Sequence, residues 1–325
     1  MKISVIIPTF NRLKALTECL ENVFAQRLEA GDAMEVLVAD DGSTDGTAGA
    51  LKDRYGSKDN FIYLFQANGG PAAARNAAMR RASGDICYFI GDDIMLGPGT
   101  AAAHLEAHKR HPGSSTAVLG HIGLPANESC SFFESVIVDK GPQFCFSKLK
   151  DGQALDFGYF YTSNISLKKH FLLEKGLFDE GFTKASWEDI ELGYRLSKHG
   201  LEIIYSAAAS VSHKHKTTLL EFSRKRRLDA CFGYKFYLKH PELAGYVGMH
   251  MATLTPYKTP AAKLKAAAAR LRDTLRYNSV TRLAALSLAP LFESVRASAP
   301  ASFCYDIVLK SDYYGSLREC VKANA

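Results

Sequence analysis

Residues 85–94 read DICYFIGDDI. The apolar run is short, with one acid before it and Gly91 and two acids after it, which is typical of a strand buried on both faces. In a parallel sheet ligands collect at the carboxyl ends of strands, so Asp92 and Asp93 are well placed to hold one. Adjacent carboxylates repel unless a cation lies between them, and hard oxygen ligands favour Mg²⁺ or Mn²⁺. A solvated turn is the alternative for an acidic pair taken alone.

Strand and helix patterns alternate around this stretch. Strands are predicted at 3–7, 35–39 and 61–65, a helical apolar stripe at 13–24, and an Ala-rich helix at 72–82. This alternation predicts an α/β fold with a mostly parallel sheet that helices cover on both faces. The chain lacks Gly-x-Gly-x-x-Gly after the first strand and lacks a Gly-Lys-Ser/Thr phosphate loop, the two common nucleotide-binding fingerprints. A phospho-receiver domain would leave most of the chain unexplained.

The composition is that of a globular protein, with 47% hydrophobic and 23% charged among 325 residues. The net charge of +6 suits anionic small molecules or an acidic membrane face. Met1 leads into an apolar run too short for a secretion signal, and no apolar stretch reaches the ~18 residues of a spanning helix, so we expect a cytoplasmic protein. The seven cysteines form no Cys-x-x-Cys pair, which predicts reduced thiols and argues against a zinc site or a disulfide framework.

Five short motifs occur in the order seen in one enzyme family. They are VIIPTFNR at 5–12, DDGSTDGT at 40–47, NGG at 68–70 with ARN at 74–76, GDD at 91–93, and WED at 187–189. Together they resemble the GT-A-fold glycosyltransferases of family two, which are mostly inverting enzymes. The resemblance implies a Rossmann-like GT-A catalytic domain over residues 1–216. Residues 217–325 remain as a basic, mainly helical C-terminal extension.

The resemblance also implies a nucleoside-diphosphate sugar donor, with a UDP-sugar favoured, and Mn²⁺ or Mg²⁺ bridging its diphosphate. The register makes Asp93 the metal ligand. His213 is narrowly preferred over His215 as a further ligand, although alternating His and Lys is more often a solvated edge. Asp40 is expected at the base or ribose, Asp92 at the ribose, and Arg75 near an anion or a polar base edge. The expected donor-nucleotide residues are Pro8, Thr9, Asn11, Asp40, Asp41, Arg75 and Asp92.

The acceptor side is expected within residues 157–199. By the same resemblance, Asp189 is the general base that deprotonates an acceptor hydroxyl, whose in-line attack inverts the anomeric carbon. Glu188 is its competitor, because neighbouring helical residues point about 100° apart. The only tryptophan lies beside these acids and could shape a sugar pocket, and aromatic residues near 163 and 164 could form a sugar platform or a buried sheet face. The expected pocket residues are Trp187, Glu188, Ser163 and Asn164.

The composition changes after residue 216. A basic amphipathic helix is predicted at 221–238, a linker at 253–260, a second basic helix at 261–276 and a more apolar one at 284–292. Packing on the catalytic domain, or on a second copy in a homo-oligomer, is favoured over docking of the basic run 224–227 on the inner face of a membrane.

We therefore predict a metal-dependent inverting glycosyltransferase with a carbohydrate or lipid-linked acceptor, active in polysaccharide, glycolipid or glycoconjugate synthesis. The alternative is a non-catalytic nucleotide- or polysaccharide-binding regulator that retains the fold. Nucleic acid is not an expected partner, and its binding to the basic tail would fall steeply with salt.

Overall fold

The computed structural model describes residues 1–126, 129–139, 141, 143–295 and 297–324. Its strands are β1 Lys2–Thr9, β2 Ala33–Asp40, β3 Phe61–Phe65, β4 Ile86–Ile90, β5 Ile94–Leu96, β6 Thr116–Gly123, β7 Ala154–Leu155, β8 Asn164–Lys168 and β9 Glu202–His213. Its α-helices are α1 Leu13–Phe24, α2 Thr47–Tyr55, α3 Pro71–Arg81, α4 Thr100–Arg110, α5 Phe132–Asp139, α6 Lys169–Lys175, α7 Glu188–Ser197, α8 Leu219–Lys239, α9 Ala244–Val247, α10 Pro260–Arg276, α11 Ser279–Ser294 and α12 Ser298–Ala323.

The strands form one sheet in the order β3-β2-β1-β4-β8-β6-β9-β5, with β7 paired to β9. Strands β1 to β4, β6 and β9 run in one direction, while β8, β5 and β7 run against it. All five residues of β4 are buried, as its apolar run predicts for a central strand covered on both faces. The carboxyl ends of β1, β2 and β4 therefore meet at one edge of the sheet, where the polar loops gather.

The described chain consists of two compact units, each packed mainly against itself. The first contains Met1–Cys130 and Ile137–His215 and includes the whole sheet. The second contains Ser131–Val136 and Lys216–Ala325 and is helical.

The second unit is held by packing of α12 against α8 and α11 and by a buried carboxylate. Asp312 on α12 is 5% exposed and accepts hydrogen bonds from Ser223 and Arg227 on α8 and from Arg282 on α11. The Asp312 carboxylate thus contacts guanidinium groups from two different helices, and these contacts stabilise its buried charge.

A disulfide between Cys231 on α8 and Cys320 on α12 corrects the expectation that all the cysteines are reduced. The two residues are 89 apart in sequence and meet because their helices pack together. Cysteine spacing reports such a pairing only when the pair is local, so sequence reasoning missed it.

Three of the four cations in the basic run at 224–227 form ion pairs within their own unit. Lys225 and Arg226 pair with Asp229 at 2.9 and 3.1 Å, and Arg227 pairs with Asp312 at 2.6 Å. These contacts weaken the interpretation of α8 as a membrane-docking helix. Among the described residues, no helix is both long and apolar enough to cross a membrane.

Candidate active site

The acidic pair after β4 is buried and bridged by an arginine. Asp92 and Asp93 are 5% and 8% exposed. Arg12, which directly follows β1 and its turn, places Nη1 3.0 Å from Asp92 Oδ1 and Nη2 2.9 Å from Asp93 Oδ2. The Thr9 hydroxyl donates to Asp92 Oδ2 at 2.8 Å. Arg12 lies inside a motif that the sequence singled out, yet its role at the acids was not predicted.

The environments of the two acids separate their pKa values. Burial raises the pKa of Asp92 to about 6, against the opposing charge of Arg12. Burial also raises the pKa of Asp93, but the hydrogen bond and charge of His213 and the charge of Arg12 outweigh it and leave that pKa well below its ordinary value. Asp93 is therefore the firmly ionised member of the pair, which suits a cation ligand.

His213 ends β9 and is brought to the acids by sheet pairing. It lies opposite Ile94 of β5, so its Nε2 stands 3.5 Å from Asp93 Oδ2. The His215 Nδ1 stands 3.9 Å from the same oxygen, but its side chain is 49% exposed against 10% for His213. The Phe144 ring packs edge-on against the His213 imidazole with centroids 5.9 Å apart. The structure thus brings His213 to the acidic pair more firmly than His215.

The residues at this edge fit a divalent cation in charge and donor type. The Arg12 guanidinium already stands between two carboxylates, so the position accepts positive charge. A carboxylate and an imidazole are ligands that Mn²⁺ accepts. Among the described residues, no group of three or more His, Cys, Asp or Glu side chains is arranged to hold an ion. A metal here would therefore need oxygen ligands from a bound molecule, as phosphate-bridging ions commonly do.

The loops after β1 and β2 are fastened to each other. Asn11 has φ of +53°, a left-handed conformation that Asn tolerates, and its Oδ1 accepts from the Thr44 N–H at 2.7 Å. The Asn11 N–H donates to Ser43 Oγ at 2.8 Å. Asp45 accepts from the N–H of Leu13 at 2.9 Å and from Thr47, so it connects the first residues of α1 and α2. The half-buried Pro8 and the buried Thr9 lead into this loop pair.

Asp40 and Asp41, which the resemblance assigns to the nucleotide, point into the protein. Asp40 is fully buried, and its carboxylate accepts from the Ser43 N–H at 2.8 Å and the Tyr63 hydroxyl at 2.7 Å. Asp41 accepts from the N–H groups of Gly69 and Gly70, both at 2.8 Å. In this structure both acids therefore accept hydrogen bonds from backbone N–H groups of the loops after β2 and β3.

Arg75 and Glu188 form a buried ion pair that joins the expected donor and acceptor sides. Arg75 Nη1 lies 3.0 Å from Glu188 Oε1, with side chains 7% and 4% exposed. The Arg75 guanidinium also lies over the Phe178 ring, 5.4 Å from its centroid. Removing one partner would leave a buried charge uncompensated, which typically costs about 3–5 kcal/mol. Glu188 is thus engaged by Arg75 in this structure.

Asp189 lies in the first turn of α7, two residues after a strained residue. Trp187 has φ of +69°, a left-handed conformation that is rare for a large side chain. Such strain costs about 1–3 kcal/mol and persists where the surroundings enforce it, often at functional sites. Asp189 is half-buried, and its Oδ1 accepts from the Ile190 N–H at 2.8 Å. The sequence does not reveal this strain, because a WED tripeptide is compatible with an ordinary helix start.

Asn164, an expected pocket residue, begins β8 and is buried in the sheet. It is fully buried; its Oδ1 accepts from the Tyr88 hydroxyl at 2.7 Å and lies 2.9 Å from His104 Nε2. Its Nδ2 donates to the carbonyls of His121 and Ala209 at 2.9 and 2.8 Å. The amide of Asn164 is thus hydrogen-bonded on both sides within the protein in this structure. Its neighbour, residue 163, is half-buried and stays a predicted pocket residue.

Residues 4–123 match a family model described as Glycosyl transferase family 2. This chain carries a family 2 glycosyltransferase domain. The match confirms the resemblance read from the short motifs.

Relatives of this family 2 chain carry glycosyltransferase names. Validoxylamine A glucosyltransferase of Streptomyces hygroscopicus subsp. jinggangensis is 32% identical over 265 residues, which are 74% of this chain and 61% of that protein. Poly(ribitol-phosphate) beta-glucosyltransferase of Bacillus spizizenii is 32% identical over 257 residues, which are 71% of this chain and 39% of that protein. The chain therefore spans at most about three fifths of the length of these two relatives.

Solved structures share the fold of the family 2 chain. The mannosyltransferase PcManGT of Pyrobaculum calidifontis, in complex with GDP-Man and Mn²⁺, has a TM-score of 0.58 at 19% identity, covering 96% of this chain and 87% of that one. S. aureus TarS 1–349 has a TM-score of 0.53 at 19% identity, covering 100% and 92%. These likenesses confirm the predicted α/β fold of the GT-A type with its C-terminal helical region.

Proposed function

We propose that this chain transfers a sugar from a nucleoside-diphosphate sugar to a hydroxyl of a carbohydrate or lipid-linked acceptor, with inversion and with help from a divalent metal. The observation that carries the proposal is the buried Asp92–Asp93 pair at the carboxyl end of β4, with His213 Nε2 3.5 Å from Asp93. Complexes of PcManGT with GDP-Man and Mn²⁺ and of TarS 1–349 with UDP-GlcNAc support this class of donor. A UDP-sugar is the favoured donor.

The donor's diphosphate would lie against Asp93, His213 and Arg12. Bound Mn²⁺ or Mg²⁺ would offset negative charge on the diphosphate and on the departing nucleoside diphosphate. Asp93 and His213 would hold the ion, and Asp92 would face the ribose. Arg12 is 40% exposed and can turn from the acids to phosphate oxygens, whose geometry its guanidinium matches.

Asp189 would accept the proton of the acceptor hydroxyl as that oxygen attacks the anomeric carbon from the face opposite the leaving group. One displacement of this kind inverts the anomeric configuration. Trp187 and Ser163 would border the sugar, while the Arg75–Glu188 pair would position the start of α7, since Glu188 lies next to the base. This catalytic role is assigned to residues 1–216.

The test uses the purified chain with a panel of nucleotide sugars and candidate acceptors, with and without Mn²⁺. Asp189→Asn keeps shape and hydrogen bonding but removes basicity, so nucleotide binding should persist while single-turnover transfer falls roughly 10²-fold or more. Glu188→Gln is the matched control and should affect binding or stability more than the chemical step. A near-normal transfer rate for Asp189→Asn would remove it as the base. Binding without turnover of any donor would instead favour the non-catalytic regulator, and product NMR would report the anomeric configuration.

A further inference from the structure

Helix α10 presents its large apolar residues to solvent. Leu264, Leu271 and Leu275 are 74%, 66% and 71% exposed. Their spacing of seven and four residues places them within about 40° of one another around the helix axis. The buried residues of α10, Ala266 and Asp273, lie on the opposite side. The amphipathic pattern is therefore inverted, with leucines outward and a small and a polar residue inward.

Basic residues border the leucine stripe on both sides. Helical geometry places Lys263 and Arg270 about 100–120° to one side of the stripe, and Lys265, Arg272 and Arg276 about 80–120° to the other. The only acid in the sequence of α10 is Asp273. It is 4% exposed, with its carboxylate 3.0 Å from His250 Nε2 and 2.7 Å from Arg272 Nε. The solvent-facing surface of α10 therefore combines leucine with positive charge.

Helix α11 repeats the inversion without charge on its outer face. Its buried residues are alanines, Ala285 and Ala289. Its two charged residues are engaged, Arg282 with Asp312 and Glu293 with the Tyr305 hydroxyl. Large apolar residues on the exposed face, including the residue that follows the helix, are Val280 at 74%, Leu283 at 63%, Leu288 at 43%, Leu291 at 57% and Val295 at 66% exposed.

Each of these two consecutive helices exposes several large apolar residues. Large exposed apolar patches are uncommon on monomeric soluble proteins and mark interaction sites. The charge pattern selects the partner. A second copy docking through the same stripe would bring the lysines and arginines of two α10 helices together, and like charges across an interface are unfavourable. An anionic lipid surface instead offers acyl chains to the leucines and phosphates to the cations that flank them.

We propose that α10 and α11 form a lipid-docking surface that lies flat on an anionic membrane. The leucine stripe of α10 and the apolar face of α11 enter the boundary between headgroups and acyl chains, and the cations flanking the stripe contact lipid phosphates. Arg272 and Arg276 of α10 pair with Asp273 and Asp306, as the cations of α8 pair with acids of their own unit. The lipid contacts are therefore assigned to the other three cations beside the stripe, Lys263, Lys265 and Arg270. The proposal concerns the helical unit alone and does not depend on the proposed sugar transfer.

Cosedimentation of the full chain with lipid vesicles tests the proposal. The parent should pellet with vesicles of phosphatidylglycerol and phosphatidylcholine and much less with phosphatidylcholine alone. The triple variant Leu264→Gln/Leu271→Gln/Leu275→Gln should bind the mixed vesicles roughly tenfold more weakly or worse. A matched triple, Leu173→Gln/Leu220→Gln/Leu238→Gln, changes leucines that are 49%, 52% and 57% exposed on other helices and should bind as the parent does.

Charge and insertion are measured separately. Lys263→Gln/Lys265→Gln should weaken binding roughly tenfold, because each cation near an anionic surface contributes, whereas the exposed pair Lys150→Gln/Lys322→Gln should not. Leu271→Trp should show a blue-shifted emission on mixed vesicles that Leu173→Trp lacks.

The proposal is overturned if the parent stays in the supernatant with mixed vesicles, or if both leucine triples bind alike. It is also overturned if sedimentation velocity shows a self-associated parent and a monomeric α10 triple, because a second copy would then cover the stripe. Thermal unfolding of each variant checks that it folds. We expect the leucine variants to fold, because every replaced leucine is exposed and contributes little to the core.

Discussion

Replacing Glu35 with glutamine perturbs a buried carboxylate at the sheet edge opposite the acidic pair. Glu35 is 4% exposed, and Ser4 Oγ donates to it at 2.6 Å. The N–H of Ser83 donates at 2.6 Å and its hydroxyl at 2.5 Å, the Gly84 N–H donates at 3.2 Å, and Lys2 Nζ lies 2.8 Å away. A carboxylate accepts all of these donors, whereas an amide has one acceptor oxygen and presents two N–H groups of its own.

The pKa of Glu35 sets the size of the effect. Burial alone would raise this pKa, but hydrogen bonds from Lys2, Ser4 and Ser83 lower it from 4.5 to about 2. The lowering corresponds to about 3 kcal/mol in the free energy of unfolding. Because the pKa in the folded state is depressed, this stabilisation is complete above pH 4.5 and is lost as the pH falls toward 2. We therefore expect Glu35→Gln to lower the free energy of unfolding by about 3 kcal/mol at pH 7. The difference between variant and parent should shrink as the pH falls toward 2.

Urea unfolding of parent and variant between pH 7 and pH 3 measures this difference. The matched control is Glu21→Gln, which removes an ion pair with Arg54 at 2.6 Å whose side chains are both 51% exposed. Exposed pairs contribute about 0–1 kcal/mol, so this variant should stay close to the parent. Equal losses for the two variants at pH 7, or a Glu35→Gln deficit that does not shrink in acid, would refute the reasoning.

Three further predictions concern the loops and the buried network. In the absence of nucleotide, Arg12→Gln should tighten Mn²⁺ binding severalfold, because the guanidinium that competes for the acids is gone. The same variant should weaken UDP binding. An unchanged or weaker Mn²⁺ affinity in calorimetry would contradict this reasoning. Burial lowers the pKa of His104 from 6.5 to about 4, so stability is intact above pH 6.5 and falls by about 3 kcal/mol as the pH drops through 4. His104→Gln should remove much of that loss, and an identical acid profile in urea titrations would count against it. A Cβ on Gly70, whose φ is +91°, would lie 2.5 Å from the Thr183 carbonyl oxygen, so Gly70→Ala should destabilise by at least about 2 kcal/mol. Gly49→Ala, in open space on α2, should be neutral or stabilising, and similar thermal shifts for both variants would refute the argument.

Helices were predicted correctly from the residue pattern where interactions between neighbours in the sequence determine the local structure. The Ala-rich helix opened by Pro71 and the basic helix predicted at 261–276 both appear, the latter as Pro260–Arg276. The helix predicted at 284–292 extends over Ser279–Ser294, because an Asn278 capping box begins it earlier than its apolar pattern does. Local reasoning locates such elements well and their ends less well.

The amino-acid sequence by itself determined the α/β class, the family 2 motifs and the identity of the acids at the end of β4, because strand periodicity, turn residues and motif order are local properties of the chain. Only the tertiary structure decided which side chains these acids meet. Sheet pairing brings His213 to Asp93, and the close approach of α3 and α7 joins Arg75 to Glu188. Packing of the sheet buries Asn164, and packing of α8 against α12 brings Cys231 to Cys320. Such pairings depend on distances between residues far apart in the chain, and these distances are set by packing the whole core rather than by any short pattern of residues.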